Sequence, residues 1–65
     1  MNNEQILIRQ NGKRCEVLMN NHKLYTGGRV AAKKLAKWLH AQTSLPVYNE
    51  KIGKGVVLWM KRHHS

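Results

Sequence analysis

Acidic side chains are scarce in this sequence. Aspartate is absent from its 65 residues, and Glu4, Glu16 and Glu50 stand against 12 lysines and arginines. Paired-carboxylate catalysis needs two such groups at one bond, and these three lie far apart along the chain, so no enzymatic activity is expected. Cysteine occurs once, as Cys15. One cysteine closes no intrachain disulfide and builds no cysteine-based zinc site, which fits a reduced, cytoplasmic compartment. Phenylalanine is missing, and with it the Lys/Arg-Gly-Phe signature of an RNA-recognition motif; a GxxG loop of the KH type is missing too. Long apolar runs are missing as well. Val56-Val57-Leu58-Trp59-Met60 falls far short of the ~20 residues that span a bilayer. Met1-Asn2-Asn3-Glu4 has no basic residue and Arg9 interrupts Ile6-Leu7-Ile8, so no secretory signal is expected.

Positive charge dominates what remains. Twelve basic and three acidic residues give a formal charge of +9. At 42% hydrophobic, the chain is too apolar to be only a disordered basic tail. The length fits a single small domain over 1–65, with flexible ends expected at 1–4 and 62–65. A surface of one sign calls for an anionic partner: nucleic acid, DNA or RNA, or an acidic protein surface.

Local patterns suggest an order of elements. Ile6-Leu7-Ile8 reads as a strand, Asn11-Gly12 as a hairpin turn, and Cys15 to Met19 as the return strand. Asn20-Asn21 offers a second turn before a short third strand at Lys23-Leu24-Tyr25. After Thr26-Gly27-Gly28 the spacing predicts a helix over about 29–42, rich in Ala, Leu and Lys. Ala31, Ala32, Leu35, Trp38 and Leu39 would share its apolar face, with Arg29, Lys33, Lys37 and His40 opposite. Leu35 and Trp38 would anchor it to the sheet. Pro46 ends the helix, Val47-Tyr48 suggests a strand, Gly53-Lys54-Gly55 a turn, and Val56 to Lys61 the strongest strand. The expected fold is α+β: a three- or four-stranded, mostly antiparallel sheet packed on one amphipathic helix. Which face of the last strand is inside stays open. Val57 and Trp59 alternate with Val56, Leu58 and Met60.

The basic residues carry the functional signal. Arg29, Lys33 and Lys37 follow i, i+4, i+8 spacing, Lys34 flanks them, and no carboxylate lies between Glu16 and Glu50 to pair with them. Lys13-Arg14 and Lys51-Ile52-Gly53-Lys54-Gly55 add two basic turns. Small residues there let a backbone approach a phosphate, and free N–H groups at the helix start after Thr26-Gly27-Gly28 suit an anion. A solvated lysine face and purely turning glycines are the plain rival readings. Cys15 reads as a small apolar strand residue rather than a nucleophile beside His22, His40, His63 or His64. His63-His64 lacks the further ligands of a metal centre, and no cofactor is expected. The leading expectation is a non-catalytic, small basic nucleic-acid-binding accessory or regulatory protein, with duplex DNA slightly favoured over RNA. The alternative is a protein-binding inhibitor or adaptor that docks its basic surface on an acidic patch of a larger enzyme or ribonucleoprotein. A membrane-surface peptide ranks last, because the apolar helix face is needed to close the sheet.

Overall fold

The computed structural model describes residues 4–61. The expected ends at 1–4 and 62–65, Glu4 apart, lie outside the described residues, as does the His63-His64 pair. Five strands and one helix follow in the order β1 (Ile6–Asn11), β2 (Arg14–Met19), β3 (His22–Gly27), α1 (Arg29–Thr43), β4 (Val47–Lys51) and β5 (Gly55–Met60). The sheet order is β3-β2-β1-β4-β5. The α+β class holds. The sheet has five strands rather than three or four, and it is mixed, because β4 pairs parallel to β1 while the other pairings are antiparallel.

Turn chemistry sets the first three strands. The β1–β2 loop is Gly12-Lys13, one residue later than Asn11-Gly12 suggests, with positive φ at Gly12 and not at Lys13. That is the demand of a type II′ hairpin turn. Asn20 and Asn21, at φ 51° and 69°, form the β2–β3 loop with the two positive φ values of a type I′ turn. The Asn20 Oδ1 accepts from the Gln5 N–H at 3.1 Å, which joins this turn to the start of β1.

The core lies between α1 and one face of β1 and β2, with Val47 of β4 beside them and Tyr25 of β3 at its margin. Ile6, Ile8, Cys15, Val17 and Val47 are fully buried, beneath Ala32, Ala36 and Leu39 of the helix. Strand alternation puts these residues on one side, and small alanines let the helix approach. The helix phase corrects the sequence reading. Trp38 is 59% exposed and does not anchor the sheet, Leu35 is half-buried, and His40, expected outside, is 2% exposed. The His40 Nδ1 donates to the Leu45 carbonyl at 2.6 Å, so the imidazole fastens the end of α1 to the approach to β4. Ser44 closes the helix with φ 60° and donates its N–H to the His40 carbonyl at 2.8 Å.

Each edge strand carries one extra residue. In β3, Tyr25 pairs with Val17 and Lys23 with Leu18, leaving Leu24 over. In β5, Met60 pairs with Val47 and Leu58 with Tyr48, leaving Trp59 over. These bulges shift the alternation, as bulges do at sheet edges. Neither expected set of β5 residues is therefore simply inside. Val57 and Met60 lie across from the helix-side residues Asn49 and Val47, while Val56 and Leu58 lie on the open side. Among the described residues no helix is long and apolar enough to cross a membrane.

Candidate nucleic-acid interface

The strand directions gather three loops at one end of the sheet. β1 and β4 run toward it, and β2, β5 and α1 start from it. The Gly12-Lys13 turn, the start of α1 and the turn after Lys51 are therefore neighbours. A backbone bond ties two of them, the Ile52 N–H donating to the Gln10 carbonyl at 3.3 Å. Beneath it the Gln10 amide donates to the Asn49 side-chain oxygen at 2.8 Å, which holds β1 and β4 together under the loops. Arg29, Lys51 and Lys54, with Gln10, Gly12 and Ile52, line a depression of about 240 Å³. Gly12, Gly53 and Gly55 all have positive φ and open space where a Cβ would stand, so the backbone at this rim is accessible from outside. The first turn of α1 holds no acidic residue and its N-cap, Gly28, offers no side-chain bond. The positive end of the helix dipole thus faces the same basic loops.

From this end the row Arg29–Lys33–Lys37 runs down one flank of α1, at about 6 Å per step. The sequence places this row opposite the core. In the structure it overlooks β4 and β5, because Arg29 shares the depression with Lys51 and Lys54, Lys33 is half-buried, and the Lys37 Nζ lies 6.0 Å from the centre of the Trp59 ring. α1 packs on β1, β2 and β3, so the helix side of the β4–β5 hairpin is left as the floor of a groove. Asn49, Lys51, Lys54, Val57 and Trp59 border a second cavity there, of about 340 Å³.

The eight expected site residues are thus partly united. Arg29, Lys51 and Lys54 converge on one depression, and Lys33 and Lys37 continue its rim. Lys13 sits at the hairpin tip of the same end. Arg14, alternating with Glu16 and Leu18 on β2, belongs to the open face. Lys34 is exposed on α1 away from the groove row. Among the described residues none of the eight forms an ion pair. Two of the carboxylates are on the opposite side of the sheet, where Glu50 accepts from the Arg9 Nε at 3.2 Å and Glu16 lies 3.2 Å from the Lys23 Nζ and 4.0 Å from Arg9. Gln10, Asn49, Val57 and Trp59 complete the groove and were not singled out as site residues. Their placement depends on the β1–β4 and β4–β5 registers, which no short-range pattern announces. Cys15 is buried in the core, away from this surface, and among the described residues no group of three or more metal-type side chains assembles.

No protein-family model, curated protein or solved structure matches the chain.

Proposed function

We propose that the protein is a small, non-catalytic nucleic-acid-binding accessory or regulatory protein of the cytoplasm, which grips a phosphate backbone with one basic end and the adjoining flank of its helix. The observation carrying this reading is the convergence of Arg29, Lys51 and Lys54 around one depression with open glycine backbone at its rim. Lys33 and Lys37 extend the cationic track, and Lys13, Arg14 and Lys34 broaden the field around it. Backbone N–H groups and the helix dipole supply the geometry of an anion seat, and lysines without carboxylate partners leave their charge available to it. Such contacts position a strand without reading its sequence. Duplex DNA is slightly preferred to RNA, since the surface is more basic than aromatic.

Affinities for duplex DNA, single-stranded DNA, RNA and heparin across a salt series test this. Binding to a nucleic acid is expected to exceed binding to heparin and to weaken steeply with salt. Replacing Arg29, Lys51 and Lys54 by Gln is expected to make the log K against log salt slope shallower by about 0.9 per residue for duplex DNA, equally for all sequences. Equal binding to all four polyanions, or a triple variant with an unaltered slope, would reject the site.

A further inference from the structure

The two edges of the sheet are not alike. Both carry a bulge, but β3 is also guarded by the charged Lys23 and the polar His22 and Thr26, and Leu24 is its one large exposed apolar residue. β5 is not. Its regular stretch carries Val56 at 56%, Val57 at 64% and Leu58 at 40% exposure, on both faces of the strand. Among the described residues no sixth strand faces its outward backbone N–H and C=O groups. α1 packs mainly on β1, β2 and β3 and reaches β5 where Lys37 overlies Trp59. Such an edge is a template for another strand.

Charge selects the occupant. Lys51 and Lys54 stand at the start of β5, Lys61 follows its end, and Lys37 hangs over Trp59. The nearest carboxylate, Glu50, is engaged by Arg9. A second copy pairing antiparallel would set Lys54 of one chain against Lys61 of the other, and both chains carry +9, so self-association is opposed. We infer that β5 takes an extended segment of an acidic protein as a sixth strand, with apolar residues at the centre of the segment against Val56, Val57 and Leu58, and carboxylates at its two ends against Lys51, Lys54 and Lys61. The surface shares Lys51 and Lys54 with the phosphate site, but the open backbone edge and Val56, Val57 and Leu58 of β5 do not depend on that reading.

The test uses the full chain, free of nucleic acid, and three synthetic peptides. The first has Val-Thr-Val at its centre and two Glu at each end, the second has Lys in place of Glu, and the third is the first with alternate backbone nitrogens methylated on its pairing edge. Binding is read by Trp59 and Trp38 fluorescence and by amide hydrogen exchange of Val56 to Met60. The acidic peptide is expected to bind and to slow exchange along β5. The Lys-ended and the N-methylated peptides are each expected to bind at least about tenfold more weakly, the former through like charge and the latter through lost ladder hydrogen bonds. Lys51→Gln with Lys54→Gln, which leaves the strand intact, should narrow the gap between acidic and basic peptides. Failure of the acidic peptide to bind overturns the proposal. So does equal binding of the N-methylated peptide, which would mean attraction by charge alone. Dimerisation of the free protein in sedimentation, with β5 amides protected, would assign the edge to a second copy instead.

Discussion

The strands under α1 and the hairpin beyond it have nearly the same length and opposite surroundings. Ile6, Ile8 and Val17 lose all solvent contact, whereas Val56 and Val57 keep more than half of theirs. The same β-branched chemistry therefore serves two ends. Beneath the helix it supplies apolar burial worth ~1.5–3 kcal/mol per large side chain. On β5 it stabilises the fold little, and its retention of water-exposed apolar surface suits contact with something outside the chain. The charges separate in the same way. Glu16 and Glu50 meet Arg9 and Lys23 on the open face, while the charged residues lining the groove are all basic.

Paired truncations should expose this contrast most. Ile8→Ala is expected to cost ~2–5 kcal/mol, comparable with the whole ~3–5 kcal/mol that a core of this size supplies, and so to leave the protein largely unfolded by circular dichroism. Val57→Ala should stay within ~0.5 kcal/mol of the parent in denaturant melts. Equal losses at the two positions would show β5 to be part of the core. A smaller effect tests the joint between the halves. His40→Ala removes the donor to a carbonyl at the α1–β4 junction, and an unsatisfied buried group costs about 1–3 kcal/mol. Chemical denaturation should show that loss, and a neutral result would detach His40 from the fold's stability. The smallest effect belongs to Ser44, a non-glycine residue at φ 60°. Ser44→Gly relieves that left-handed conformation and should raise the melting midpoint slightly, by no more than about 1 kcal/mol in stability. A lower midpoint would show that the Ser44 side chain matters more than its backbone.

The elements of this fold were legible where one short stretch decides the conformation. Two asparagines in a row, a glycine beside a lysine, and Pro46 after a helix-forming run each restrict the backbone on the spot. The helix phase was not legible, because Ala32, Leu35, Ala36 and Leu39 fit two overlapping arcs, one closed by Trp38 and one by His40, and the second is the buried one. The contact is made instead by Ala32 and Ala36, since the large side chains Ile6, Ile8 and Val17 already fill the space between layers. The candidate site was readable in its residue types but not in its shape. Arg29, Lys51 and Lys54 meet only because β4 lies parallel to β1, and that pairing joins segments separated by two strands and a helix.

That lone parallel ladder also orders the assembly of the chain. β1, β2 and β3 can zip through two tight turns, each pairing with its neighbour in sequence, and such local closures cost little chain entropy. β4 has no such route. It meets β1 only after α1 has crossed the sheet, and β5, which closes on β4 through its own short turn, joins the sheet only with it. The last hairpin therefore enters late, and its arrival seats Val47 in the core. Whatever strand settles on β5 would bind the closed form alone, and so would draw the final step of folding to completion.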